Sequence, residues 1–117
     1  MPRVLYAEDE YTNRKLLEIQ FKNVGIECDL ALDGNMALQL FRQNRYDVII
    51  LDQYMPGLNG DQVARQIRQS DPEIPLIAIT SDDSEINTLR QAGFNDIFIK
   101  PLRGQNYLLK IQSYLNM

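Results

Sequence analysis

Residues 46–52, Tyr46-Asp47-Val48-Ile49-Ile50-Leu51-Asp52, form an apolar run that ends on a carboxylate and gives way to the turn sequence Met55-Pro56-Gly57-Leu58-Asn59-Gly60. An apolar run of this length, stopped by Pro and Gly, reads as a buried strand. A carboxylate at the carboxyl end of such a strand stands where the core meets solvent. Alone it would be an ordinary loop cap, because Asp is common in turns.

Working outward in both directions, the same unit recurs. Arg3 to Ala7 is a short apolar run, and Tyr11 to Val24 carries Leu17, Phe21 and Val24 in helical spacing and stops at Gly25. Cys28 to Leu32 alternates apolar with polar residues, and Asn35 to Asn44 places Ala37, Leu40 and Phe41 on one helical face. Beyond the central run, a helix is expected from about Asn59 to Gln69, with Val63, Ala64 and Ile67 inward, and a strand from Pro75 to Thr80. A helix from Asp83 to Ala92 is opened by a capping-box-like Asp82-x-x-Glu85 and closed by Gly93. A strand from Asp96 to Ile99 and a helix from Arg103 to Leu115 complete five strands and five helices.

Strict strand-helix alternation with short connections implies parallel strands joined by right-handed crossovers, with helices on both faces of the sheet. The first, third and fourth strands are almost wholly apolar, whereas the second interleaves Glu27 and Asp29 with Cys28 and Leu30, as an edge strand does. The expected fold is therefore α/β: a flavodoxin-like (βα)5 three-layer sandwich with a parallel five-stranded sheet in the order 2-1-3-4-5, filling residues 1–117 as a single domain. In such sheets ligands bind outside the carboxyl ends of the strands, at the switch point between strands 1 and 3.

Composition narrows the chemistry. The chain carries 12 basic and 16 acidic residues, a net charge of -4, with no basic run, so direct nucleic-acid binding is not indicated. Nothing reads as a signal peptide or membrane span, and the single cysteine, Cys28, excludes an internal disulfide. A cytoplasmic protein with no membrane association is expected. Histidine is absent, which removes the commonest general base and zinc ligand. Carboxylates, hydroxyls and lysine remain, and they stand at the strand ends: Glu8, Asp9 and Glu10 after strand 1, Asp52 after strand 3, Thr80 after strand 4, and Lys100 before Pro101 after strand 5.

Clustered acids either raise a pKa or bind a cation. With oxygen ligands only, Mg²⁺ suits the site best, since it needs one or two carboxylates and keeps several waters, whereas Ca²⁺ asks for more fixed oxygens than the site offers. A lysine facing a metal-bound carboxylate, with a hydroxyl between them, suits the oxygens of a transferring phosphoryl group. An ionised Asp is itself a competent phosphoryl acceptor.

Glu8-Asp9, Asp52 with Met55-Pro56-Gly57 and Gly60, Thr80-Ser81 and Lys100-Pro101 together resemble the receiver domains of two-component response regulators, along the whole chain. The resemblance implies a phosphorelay phosphoprotein in which Asp52 takes a phosphoryl group from a partner phosphohistidine to give 4-aspartylphosphate. It implies that Asp9, Asp52 and the backbone carbonyl of Tyr54 bind Mg²⁺, with Glu8 acting through a water, and that Thr80 and Lys100 hold the phosphoryl oxygens. It also implies a cis Lys100-Pro101 bond and a readout surface running from strand 4 to helix 5. The implied partners are a sensor histidine kinase or histidine phosphotransfer protein and a downstream effector, and a weak or phosphorylation-dependent homodimer stays open. No effector domain is expected within this chain, nor turnover on an external substrate. The segment from Glu8 to Lys15 is similar to receivers attached to hybrid sensor kinases, in which the first helix docks the histidine-bearing partner.

Two other readings compete on the same fold: a nucleotide or flavin binder or small Mg²⁺ phosphohydrolase, and an interaction module that works without phosphorylation. Neither Gly-rich phosphate motif is present, Asp52-Gln53-Tyr54 lacks a second Asp, and the intact Asp52, Thr80 and Lys100 disfavour the last. One departure from the family is marked. Three residues before Lys100 the family usually carries an aromatic that follows the strand-4 hydroxyl, and here stands Ile97. Phe98 is one place along, hence on the opposite face, and is not expected to substitute. Tyr54 and Asp82 occupy the positions where the family tunes phosphoaspartate lifetime. Tyr6, Phe21, Phe41 and Phe98 read as core, and Tyr107 and Tyr114 as facing core or partner.

Overall fold

The computed structural model describes residues 1–102 and 104–117. Strands β1 (Arg3–Ala7), β2 (Glu27–Ala31), β3 (Val48–Asp52), β4 (Leu76–Thr80) and β5 (Asp96–Ile99) alternate with helices α1 (Tyr11–Asn23), α2 (Gly34–Gln43), α3 (Gly60–Ser70), α4 (Ile86–Gln91) and α5 (Asn106–Tyr114). All strand pairs are parallel, in the order β2-β1-β3-β4-β5. The flavodoxin-like topology expected from the strand patterning is the one observed.

Period-2 alternation divides the core into two layers, one on each side of the sheet. Leu5, Ile49, Leu51, Leu76 and Ala78 pack against Leu38, Val63, Ile67 and Leu89 of α2, α3 and α4. Val4, Tyr6, Ile50, Ile77 and Ile79 pack against Leu17, Phe21, Tyr107 and Ile111 of α1 and α5. Every residue of β3 and β4 is buried, which is why those stretches read as unbroken apolar runs. At about 1.5–3 kcal/mol for each large side chain buried, the central strands are the main source of cohesion.

Element ends differ from expectation for local reasons. Tyr46 and Asp47 precede β3 rather than opening it: the Tyr46 hydroxyl donates to Asp29 and the Asp47 carboxylate accepts from the Arg3 N–H. The helix expected from Arg103 begins, among the described residues, at Asn106, and Arg103 itself lies outside them. The helix expected over Asp83 to Ala92 is split into a 3-10 turn, Asp83–Glu85, followed by α4. Asp82 caps that turn, accepting from the Ser84 N–H at 2.9 Å and the Ser84 hydroxyl at 2.6 Å. The other half of the expected capping box does not form. The Asp82 N–H donates to Thr80 Oγ1 at 3.2 Å, and Glu85 reaches across to the β3–α3 loop instead.

The ladder runs past the ends of the strands. The N–H groups of Glu8, Gln53 and Lys100 donate to the carbonyls of Ala31, Ile79 and Thr80 at 3.0, 2.9 and 2.8 Å. These residues therefore leave the sheet in fixed directions, at the carboxyl edge where the crossovers reverse around β1 and β3.

Candidate functional site

Glu8 continues the parity of Val4 and Tyr6 along β1, so its side chain emerges on the α1 and α5 side and is completely buried. Asp52 ends β3 with the parity of Val48 and Ile50 and is 3% exposed. Between them lies Lys100, whose Nζ stands 3.2 Å from Glu8 Oε1 and 3.0 Å from Asp52 Oδ2. Asp9 is exposed, yet one carboxylate oxygen from each of Glu8, Asp9 and Asp52 lies within 4.8 Å of the others. Thr80 is fully buried at the end of β4. Tyr54, next but one to Asp52, is largely exposed, with its hydroxyl on Glu85 Oε1 at 2.6 Å. The structure thus gathers the acidic pair, the β3 carboxylate and the β5 lysine into one cluster, while the Thr80 hydroxyl accepts from the Asp82 N–H.

The charges in this cluster are mutually dependent. Burial raises the Glu8 carboxyl above its ordinary value, and the adjacent Asp52 raises it further, while Lys100 pulls it back. Burial works against the ammonium of Lys100, but its contacts with Asp52 and then Glu8 outweigh this and raise its pKa. One lysine thus offsets two carboxylates that would otherwise repel each other at close range. Among the described residues, Glu8 Oε2 is buried with no hydrogen-bond partner. An orphaned carboxylate oxygen in an all-oxygen cluster of three acids fits a hard cation or its bound water. The donor set therefore suits Mg²⁺.

Several residues that shape the site carried no sequence-level signal of their own. Tyr6 was assigned to the core, and it is buried, but its hydroxyl also lies 3.4 Å from Glu8 Oε1; the two-residue spacing on one strand was the available hint. Arg14 in α1 donates from Nη1 to the backbone carbonyls of Glu8 and Asp9 at 3.0 and 2.8 Å. Gln53, immediately after Asp52, is 3% exposed. The turn that follows is fixed by two glycines. Gly57 has φ +80°, and a Cβ on Gly60 would lie 2.6 Å from the backbone oxygen of Asp52. The Lys100–Pro101 bond is cis, as the resemblance implied.

On β5, Ile97 packs on the α4 side of the sheet. Phe98 lies on the other side, edge-on to Tyr107 with ring centroids 6.4 Å apart. The aromatic ring does not reach the side occupied by Ile97, as the one-residue offset required. Beside the site, a cleft of about 420 Å³ is lined by Leu16 and Leu17 of α1 and by Pro101 and Leu102, together with Glu8 and Lys100. Among the described residues no helix is long and apolar enough to cross a membrane.

Comparison with known proteins gives a consistent answer. A family model described as the response regulator receiver domain matches residues 4–112. The chain is 33% identical to the transcriptional regulatory protein AfsQ1 of Streptomyces coelicolor, over 98% of this chain and 52% of that protein. It spans about half the length of the curated relatives it matches. Among solved structures, the response regulator TrrA of Thermotoga maritima, determined in complex with Mg²⁺-BeF, superposes with a TM-score of 0.91 at 30% identity, covering 97% of this chain and 99% of that one. The receiver domain of sensor histidine kinase PA1611 from Pseudomonas aeruginosa, with a magnesium ion coordinated in its active-site cleft, gives 0.90 at 28% identity, covering 99% and 98%. Matched along almost its whole length, the chain belongs to the response regulator receiver domains of two-component signalling.

Proposed function

We propose that Asp52 is the phosphoacceptor and that residues 1–117 act as one receiver unit in the cytoplasm. The single observation that carries this reading is Lys100 bridging Glu8 and Asp52 at 3.2 and 3.0 Å, with Asp9 within reach of both carboxylates. Histidine is absent from residues 1–117, so the phosphohistidine donor lies outside them, on a sensor kinase or phosphotransfer protein. Asp9, Asp52 and the Tyr54 carbonyl would hold Mg²⁺, with Glu8 acting through a water. When bound, the ion supplies positive charge against the phosphoryl oxygens.

In the transfer, a carboxylate oxygen of Asp52 forms the new bond to phosphorus while the bond from phosphorus to the donor imidazole nitrogen breaks. The imidazole leaves with that electron pair. Lys100, freed from Asp52 by the loss of the carboxylate charge, pairs with a phosphoryl oxygen, and the Thr80 hydroxyl donates to another. Burial of Asp52 limits water's access to the acyl phosphate. The acidic site and the adjoining cleft give a partner's histidine-bearing helix both a target and an apolar seat at Leu16 and Leu102. Drawing Thr80 toward the phosphoryl group would shift the β4-to-α5 surface that an effector reads.

Incubation with acetyl phosphate and Mg²⁺, followed by intact mass measurement, tests the reading. The wild-type chain is expected to gain one phosphoryl group, and Asp52→Ala to gain none. Equal phosphorylation of both would refute it.

A further inference from the structure

With Ile97 in place of the usual aromatic, motion of the β4 hydroxyl needs another constraint, and the structure contains one on the far side of the site. The Gln53 side-chain amide donates from one nitrogen to both Asp61 Oδ1 and Glu85 Oε2, each at 3.2 Å, and its oxygen accepts from the Asp61 N–H at 2.9 Å. Tyr54 adds its hydroxyl to the other oxygen of Glu85 at 2.6 Å. Two consecutive residues directly after the phosphoacceptor thus grip both oxygens of one carboxylate. That carboxylate belongs to the 3-10 turn Asp83–Glu85, which begins three residues beyond Thr80.

We propose that Glu85 is a positioning residue of the phosphorylation switch: held by Gln53 and Tyr54, it fixes the turn after Thr80 in the arrangement seen here, and phosphorylation must release it. Three observations support this. Thr80 and the turn are mechanically continuous, because Thr80 Oγ1 accepts from the Asp82 N–H and Asp82 in turn caps Ser84. Displacing Thr80 toward Asp52 therefore drags Glu85 against its two donors. Second, Glu85 forgoes the local capping box that its spacing from Asp82 offered, in favour of contacts across the loops. Third, Gln53 is buried with its polar atoms engaged on both sides, so the link has little freedom to re-form elsewhere once the turn moves.

The inference rests on the phosphoacceptor reading, and one titration separates the two. Beryllium fluoride, which mimics the phosphoryl group, is titrated into the full chain at saturating Mg²⁺, with heat of binding as the readout. A bond made only in the resting arrangement reduces the apparent affinity for the mimic by reducing the competent fraction. Glu85→Ala and Tyr54→Phe are each expected to tighten beryllium fluoride binding by about threefold to tenfold, even though Glu85→Ala lowers the unfolding midpoint. Glu85→Gln, which keeps one good acceptor, should fall between Glu85→Ala and wild type. A contact that merely stabilises the fold would lower the midpoint without tightening the mimic, so unchanged or weakened affinity in both Glu85→Ala and Tyr54→Phe overturns the proposal. A wild-type chain that binds no beryllium fluoride, behaving like Asp52→Ala, refutes the phosphoacceptor reading and this one with it.

Discussion

Replacing Gly60 with alanine perturbs the site without touching any of its charged groups. A Cβ there would lie 2.6 Å from the Asp52 carbonyl oxygen, 3.1 Å from Gln53 Cα and 3.2 Å from the Asp52 carbonyl carbon. All three atoms are backbone, so no side-chain rotation relieves the clash. Ordinary contact starts at 3.4 Å, so the start of α3 and the end of β3 must separate by about 0.8 Å. They are held together by the Gly60 N–H bond to the Gln53 carbonyl at 2.9 Å. Alanine gains about 0.4–1 kcal/mol by restricting the unfolded chain, while overpacking costs about 1–3 kcal/mol, so a net loss of about 1–2 kcal/mol is expected. For a domain of this size that lowers the thermal midpoint by roughly 4–8 °C. Because the displaced atoms belong to Asp52 itself, beryllium fluoride affinity at saturating Mg²⁺ should fall with it. Gly25→Ala is the control: φ is +79° but nothing lies within 4 Å, so it should cost about 1 kcal/mol of left-handed strain and leave the site unchanged. A Gly60→Ala chain as stable as wild type, with undiminished affinity for the mimic, would refute the close-approach argument.

Other expectations concern groups around the site and in the frame. Tyr6→Phe removes the hydroxyl beside Glu8 Oε1 and should weaken Mg²⁺ binding by about twofold to fivefold, read from the metal dependence of the thermal midpoint; unchanged affinity would assign Tyr6 to packing alone. Arg68 donates to the carbonyls of Gly93, Ile74 and Asp71 and to Asn95 Oδ1, so Arg68→Ala should cost about 2 kcal/mol in urea unfolding. Arg68→Lys should recover little of that, because an ammonium cannot reproduce the planar fork. Burial pushes the Cys28 thiol up to about 12 from an ordinary 9.0, so iodoacetamide at pH 8 should label the native chain slowly and the urea-unfolded chain fast. The unfolded thiol ionises first, so this group's contribution to stability is present below about pH 9 and lost as pH rises toward about 12; a flat stability profile across that range would contradict the burial of the thiol.

Much of the fold was legible because burial on both faces leaves a plain pattern. The β1 and β5 boundaries at Arg3, Ala7, Asp96 and Ile99 are those expected from the apolar runs, and the polar pattern of Glu27 to Leu30 placed β2 at an edge. The gathering of Glu8, Asp9, Asp52 and Lys100 was legible for a geometric reason: in a parallel sheet of this order all strands end on the same side. What escaped detection depends on competition between local and distant partners. Asp82-x-x-Glu85 is a sound local signature, yet Gln53 and Tyr54 outbid the Asp82 N–H for Glu85, and no window of sequence contains both sides of that contest. Gln53 itself has no periodicity to betray its role, because an amide becomes informative only when its neighbours in space are known. The position of Phe98 could be foreseen, since a one-residue offset in a strand leaves no choice of face.

The grip of Arg14 on the carbonyls of Glu8 and Asp9 bears on affinity as well as shape. Ordering a flexible loop costs roughly 1–2 kcal/mol for each residue fixed, and a cation arriving at a slack acidic loop would have to meet that cost from its own binding free energy. Here folding has already met it, through a guanidinium that lies behind the acidic pair on α1. For the proposed Mg²⁺ site, position 14 is therefore a place where affinity would be tuned up or down with every proposed ligand kept the same, a handle on sensitivity that is separate from the chemistry of the site.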